Sequence, residues 1–458
     1  MNQEKSNVEK ASQWFRNSIT VRLLGMGVIL LLLLIPMNMV ENLIYDRIHI
    51  HNSVKNEIAD SWGKSQSIGG PILTVPYETV YEFIDPITKE TKINRQRFTS
   101  HFLAEDLQIT GEMIPEIRHR GIYNVTVYES HLNLEGNFNF PENKRWTDES
   151  AEILWDEAIL SIEIPDLRGV QENIIIDFAG KEVPMNAGLA QGSPLIGGVS
   201  CPIDLDPENA GQLGFKFNIK LRGSDGLSFH PWAKNTEVNI QSDWTAPSYF
   251  GAFPPDEINE DTSNGFRAGW QVLHLNRNIP QTFQSIPNDL YQYSFGVRLN
   301  EETNDYKSTE RAAKYAVLFI ALTFLTFFII QISKGIKLHP VQFMLVGLSL
   351  CVFYILLLSL GEHIGFKWAY TIAGLSIIAL IGTYMKAAFN SNKLAWLVVS
   401  VMGLLYFFIY VIIQLVDFAL LVGSIGLFIA LATLMFASRR MDWYQLKQSS
   451  LETEGLKN

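Results

Sequence analysis

The chain has 458 residues, of which 47% are hydrophobic and 18% charged, and its formal net charge is −11. So many apolar residues beside so few charges exclude an ordinary soluble domain. Residues 41–310 hold a net charge of −19 and the remainder +8; an acidic block of this kind excludes a nucleic-acid interface, which needs clustered Lys and Arg.

In chain order, residues 1–20 form a basic N-terminal segment carrying Lys5, Lys10 and Arg16. The first apolar run, 21–40, has the roughly 20 residues needed to cross a hydrocarbon core of about 30 Å. No small-residue cleavage site follows it, so an uncleaved anchor is expected, with Pro36 as a point where the helix can bend. Leu43, Ile44, Ile48, Val54 and Ile58 indicate a helix over 41–60, and Ser61-Trp62-Gly63 ends the pattern.

The rest of 41–312 reads as a large β-rich, sandwich-like domain. Period-two alternation marks strands near 73–77, 123–127, 132–140, 159–164, 174–178 and 215–221. Turn chemistry separates them at Gly136-Asn137, Ala179-Gly180-Lys181 and Ser224-Asp225-Gly226. Cys201 lies in this block and Cys351 in a later apolar run, so no disulfide is expected.

Five more apolar runs follow, at about 314–333, 341–360, 367–385, 394–414 and 418–437, giving a helix bundle over 313–437 and a tail over 438–458. With the N-terminus inside, Lys334, Lys337, Lys386, Lys393, Arg439 and Arg440 fall on its side of the membrane, and only Arg311, Lys314 and Lys367 flank the spans outside. The positive-inside rule therefore predicts that both termini are cytoplasmic and the β-rich block is external. The expected fold is an α+β membrane protein with six transmembrane helices, one N-terminal and five C-terminal, and the β-rich domain inserted after the first.

Motifs for chemistry are sparse. His49, His51, His339 and His363 lack metal-ligand spacing, and no nucleophile elbow or phosphate loop is present. No catalytic residue, metal or cofactor is expected. Asp204-Leu205-Asp206-Pro207-Glu208 reads as a solvated turn. Arg118 and Arg120 form a basic spot in the acidic block, a candidate contact for an anion or a partner, with pairing to nearby acids as the plain alternative. Glu362, His363 and Asp417 all fall at the outer ends of spans. Ionisable groups near membrane depth are costly and often functional. They are a candidate polar cluster that takes up a proton or holds a ligand; helix capping or docking of the β-rich block is the alternative.

The order of several short segments along this layout resembles the CreD family of bacterial inner-membrane proteins. In the β-rich block these are Ser61-Trp62-Gly63, Val75-Pro76-Tyr77, Arg120-Gly121-Ile122-Tyr123, Asp166-Leu167-Arg168-Gly169 and His274-Leu275-Asn276-Arg277. In the helical part they are Glu310-Arg311-Ala312-Ala313-Lys314-Tyr315, His339-Pro340-Val341-Gln342, Glu362-His363-Ile364-Gly365-Phe366 and Arg439-Arg440-Met441-Asp442-Trp443-Tyr444. The resemblance runs from about Ser18 to Tyr444. One departure is Val416-Asp417, where the family often carries Glu-Asp, leaving Asp417 the only carboxylate in that turn.

The resemblance implies a multi-pass inner-membrane protein with a periplasmic domain, linked to envelope integrity. In some bacteria the family is controlled by the CreBC two-component system and associated with colicin tolerance and β-lactam responses. It implies no enzyme activity. The expected function is a non-enzymatic role in envelope integrity and stress response. The expected partners are membrane lipid and an unidentified periplasmic or inner-membrane protein, and no nucleic acid. The alternative is a small-solute or lipid transporter using the C-terminal bundle; a membrane hydrolase is a third reading, without a recognisable nucleophile and base.

Overall fold

The computed structural model describes residues 19–84, 91–139, 146–147, 151–206, 212–261, 265–299, 305–334, 338–415 and 418–439. The chain forms two compact units, a helical one from Met1–His51 with Thr303–Asn458, and a β-rich one from Asn52–Glu302.

In the β-rich unit the described strands form two sheets. The first follows the order Pro247–Gly251, Phe295–Leu299, Gly226–His230, Gln66–Ile84, Ala158–Glu163, Gly198–Ile203, Asn186–Ala187, with Thr91–Leu103 also pairing along Gln66–Ile84. The second follows Glu257–Asp261, Gly265–Leu273, Asn235–Ser242, Asp106–Arg120, Tyr123–Asn139, Gln212–Ser224, Ile175–Phe178, Lys181–Pro184. Alternation along each strand decides which side faces inward: in Asn235–Ser242, Thr236, Val238, Ile240 and Ser242 are buried and the residues between them face out. Leu73, Leu160 and Ile162 of the first sheet share one core with Ile109, Leu134, Ile219 and Val238 of the second. The two sheets are thus packed face to face, as the alternating runs predict.

One sequence expectation fails here. Gly136-Asn137 is no turn but lies inside the strand Tyr123–Asn139, which joins two runs read as separate. Gly136 pairs with Leu107 on one side and Phe215 on the other. A Cβ at that position would overlap the Asp106 carbonyl and meet the Phe215 ring at 2.6 Å. The glycine serves close backbone approach rather than chain reversal. The other two turns occur as expected, with Ala179 and Asp225 both at positive φ.

Seven helices are described. They are α1 (Ile19–Trp62), α2 (Asp305–Lys314), α3 (Ala316–Lys334), α4 (Pro340–Ile364), α5 (Phe366–Phe389), α6 (Asn392–Gln414) and α7 (Ala419–Arg439). Five of them, α1 and α3–α6, are long and apolar enough to cross a membrane. The sixth predicted span falls on α7, of which Ala419–Thr433 counts as a shorter apolar helix. The helical core joins Leu33, Met37 and Ile44 of α1 to Phe319, Phe327, Tyr354, Ala373, Val398 and Tyr406. Large apolar side chains such as Leu24, Ile35, Trp396, Phe407 and Leu420 point outward, which suits a hydrocarbon surrounding and not water. Helix α1 runs unbroken through Pro36 and ends at Trp62, where Gly63 takes φ +140°. Cys201 and Cys351 are both buried free thiols.

Candidate functional site

In the helical unit the sequence-derived acid Glu362 sits in the last turn of α4, which Gly365 closes at φ +77° so that α5 can start at once. Its carboxylate, with a side chain 8% exposed, lies 3.7 Å from Arg47 Nε of α1 and accepts a hydrogen bond from Tyr306 Oη of α2 at 3.2 Å. The Tyr306 ring packs on His51 at 5.4 Å between centroids. Nearby, Asp305 accepts from the Phe366 backbone N–H at the start of α5, and burial raises its carboxyl above the usual carboxylate range. Glu310 pairs with Lys314 at 2.8 Å and accepts from Tyr45 Oη at 3.4 Å. Three helices therefore meet at Glu362, and the acid is satisfied by a cation and a phenol.

His363 does not join that group. It is exposed, and its Nδ1 donates to the Ser359 carbonyl of its own helix at 3.0 Å. Asp417 lies outside the described residues. Arg47, Tyr306 and Asp305 were not found by sequence reading. The spacing of Thr309, Ala312 and Ala313 could have announced α2, because it marks one buried face.

Arg118 and Arg120 end a strand and face the last turns of α1. The Arg118 guanidinium lies 4.2 Å from the centroid of the Trp62 ring, as does that of Arg222, and Arg118 also donates to Glu116 at 3.0 Å. Arg120 forms an ion pair with Glu57. Further fastenings run along the same helix. Lys55 meets Asp225 at 2.6 Å, Arg168 donates to the Asp60 carbonyl at 2.6 Å, and Trp62 Nε1 donates to the Tyr128 carbonyl at 3.3 Å. Asp166 accepts from Arg168 Nε at 2.8 Å and from the Lys64 backbone at 3.0 Å; the Arg168 hydrogen bond, first of these, holds its carboxyl down to about 2. Both sequence-derived arginines are thus committed to α1.

A second constellation escaped sequence reading. Glu163 is 2% exposed, accepts from Tyr291 Oη at 2.8 Å, and has His230 Nε2 at 3.7 Å. His230 stacks on Trp232 with ring centroids 5.0 Å apart. Burial pushes Glu163 up to about 7 and His230 down to about 4. His101, hydrogen-bonded through Nδ1 to Thr74 Oγ1 at 3.0 Å, is also held down to about 4 by burial. Arg277 is buried and donates to the carbonyls of Trp232, Ala233 and Ile279, and burial pulls it down to about 10. The available signal was Glu163 alone among Ile159, Leu160, Ile162 and Ile164. Among the described residues no three His, Cys, Asp or Glu side chains gather as a metal site.

A family described as inner membrane protein CreD matches residues 18–444 of this chain. The inner membrane protein CreD of Escherichia coli (strain K12) is 32% identical over 421 residues, which cover 90% of this chain and 91% of that protein. Family membership names no enzymatic activity. With an α+β architecture, a β-rich unit after the first helix and several apolar helices behind it, the chain belongs to the CreD family of inner membrane proteins.

Proposed function

We propose that this protein supports cell-envelope integrity and stress response from the bacterial inner membrane, without enzymatic chemistry of its own. Its β-rich unit lies in the periplasm and contacts a partner or ligand there, both termini are cytoplasmic, and the helices anchor that unit and relay its state. One observation carries this reading. Helix α1 is a single element of 44 residues. Its first part packs in the helical core through Leu33, Met37 and Ile44, and its last turns are held by Lys55–Asp225, Glu57–Arg120 and the Trp62 stack. A plain tether needs no fastening at its end; a helix that carries a mechanical state does. The charge asymmetry of the segments flanking the spans supports the orientation.

The test is complementation of a deletion strain under detergent and β-lactam stress, at matched protein levels in the membrane. The intact chain is compared with a form anchored by α1 alone. Restored survival by the intact chain and failure of the singly anchored form support the relay. Equal survival reduces the remaining helices to an anchor, and failure of the intact chain removes the envelope role.

A second reading, transport of a small solute or lipid through the bundle, is favoured by two buried polar atoms. Gln331 Oε1 of α3 and the Tyr406 hydroxyl of α6 have no hydrogen-bond partner among the described residues. Unsatisfied polar groups in membrane helices are costly and point to a ligand or water. Substrate-dependent flux in proteoliposomes would support it, and an inert bundle would remove it.

A further inference from the structure

We propose that the outward face of the second sheet carries a groove for an uncharged glycan chain. The strand registers define it directly. Gly269, Asn239, Thr110, Asn133 and Asn218 stand opposite one another across five strands, forming one row that runs across the sheet. All five are small or short and none is charged. The neighbouring row on one side is Gln271, Glu237, Gln108, Glu135 and Lys216; on the other it is Arg267, Gln241, Glu112, His131 and Lys220. Longer side chains on both flanks make ridges, and the short neutral row between them makes a furrow.

Rows of outward side chains repeat about every 7 Å along a strand and strands lie about 4.8 Å apart, so the furrow is roughly 20 Å long. The relief shows as two clefts of about 830 and 680 Å³ on this face, which share His131 and between them take in Thr110, Asn239, Asn133 and Asn218.

The chemistry of the row selects the occupant. The side chains of Thr110, Asn133 and Asn218 make no hydrogen bond to the described residues, though Asn133 Oδ1 itself is covered, while Asn239 Nδ2 donates to Glu237 Oε1 at 2.8 Å. The Asn218 amide, the Asn133 NH2 group and the Thr110 hydroxyl together offer donors and acceptors, which matches the mixed donor and acceptor character of sugar hydroxyls. The flanks argue against an anionic ligand. Lys216 is taken by Glu135 at 3.1 Å and Lys220 by Glu129 at 3.2 Å, while Glu112 and Glu237 remain on the ridges. A polyanion would meet Glu237 on one ridge and Glu112 on the other, against the one guanidinium of Arg267 at the end of the second ridge. A partner strand cannot add here either, because the row crosses the middle of the sheet and offers no free edge.

This rests on the reading of the β-rich unit as a ligand-contacting domain and names the ligand class. The test uses the full chain in lipid nanodiscs with neutral tetrasaccharides, namely chitotetraose, cellotetraose and maltotetraose, and measures binding by calorimetry. At least one should bind saturably. Thr110→Arg, which fills the furrow, and the double change Asn133→Leu/Asn218→Leu should each weaken it about tenfold or more, the loss expected from one or two good hydrogen bonds. Asn186→Leu, the same exchange on an exposed strand of the other sheet, should leave binding unchanged. Failure of all three sugars, or equal binding by Thr110→Arg, overturns the groove. Because binding is scored without a survival phenotype, such a failure leaves the envelope role standing, and failed complementation leaves a binding groove standing.

Discussion

Tyr291 donates its phenolic hydrogen to the buried Glu163 carboxyl across 2.8 Å, and through this bond a largely irregular stretch of chain is held onto the first sheet. The stretch 274–294 contains only the short helical turn His274–Asn276 and the two-residue strand Thr282–Phe283. It buries Ile279, Phe283 and Leu290 against Ile72, Leu103 and Trp232. Chain without a ladder must find partners for its polar groups elsewhere. Trp232 Nε1 donates to the Leu290 carbonyl at 2.7 Å, and Tyr291 Oη accepts from the Ile196 backbone at 3.1 Å. The ionisable groups that face Glu163 are His230, which is buried like the acid, and Tyr291, which is half-buried.

Glu163→Gln tests the cost of that burial. The carboxyl is raised to about 7 in the folded chain from an ordinary 4.5. A raised acid binds its proton more tightly when folded, so its burial weakens the fold as pH climbs from about 4.5 to 7 and changes little beyond. The amide removes this dependence. The stability of Glu163→Gln relative to the parent should therefore rise between pH 5 and pH 8, by up to about 3 kcal/mol. Thermal unfolding of the full chain at the two pH values checks it; an unchanged difference would mean that Glu163 is as well solvated folded as unfolded.

The histidines run the other way. His101 and His230 are held down to about 4 from 6.5. Their neutral forms fit the covered site, so the unfolded chain binds more protons and stability falls as pH drops from about 6.5 towards 4. In the Glu163→Gln form, which lacks the opposing carboxyl dependence, the protection of the Leu290 and Ile196 amides against hydrogen exchange, relative to the free-amide rate at each pH, should fall in that range. His230→Gln should flatten the acid limb in part, leaving the share of His101.

How much of this was legible follows from where the information lies. The alternation in Gln212–Ser224 and the apolar lengths of α3 to α6 are local patterns, and they placed strands and helices well. Gly136 was misread because a glycine beside an asparagine is a local turn signal, whereas its reason is the Asp106 carbonyl and Phe215 ring on neighbouring strands. Helix α2 was missed since an amphipathic helix of 10 residues is masked by the span behind it. Glu362 stood out as an acid at the end of an apolar run, but Arg47 and Tyr306 are distant in sequence and only the fold joins them. The Glu163 group is assembled from three separate elements, so no spacing rule could reveal it.

Trp62 should prove the most costly residue at the end of α1. Its ring underlies the Arg118 and Arg222 guanidiniums, and it packs with Ile58 against Val125 and Val127. Trp62→Ala removes both, at about 3 kcal/mol or more. Trp62→Phe keeps an aromatic face and loses the N–H bond to Tyr128, at about 1 kcal/mol. Thermal unfolding ranks the two, and the alanine form should also open 55–62 to protease. Equal losses would assign the residue's role to the hydrogen bond alone.

The Glu362 contacts make a prediction about stability and function together. The Arg47 side chain is 40% exposed, so its ion pair with Glu362 should contribute no more than about 1 kcal/mol in a double-mutant cycle. The bond from Tyr306 is shielded and reaches a carboxylate, so Tyr306→Phe should cost about 1–3 kcal/mol. Glu362→Ala breaks both contacts at once. If this acid only seals the junction of α1, α2 and α4, survival under envelope stress should fall in step with the amount of folded protein, and Tyr306→Phe should reproduce most of the loss. If Glu362 takes up a proton or ligand, Glu362→Ala should abolish protection at a normal level of membrane protein, and Tyr306→Phe should retain it. The geometry of two satisfied contacts on a nearly buried acid favours the first outcome, and membrane levels measured beside survival decide between them.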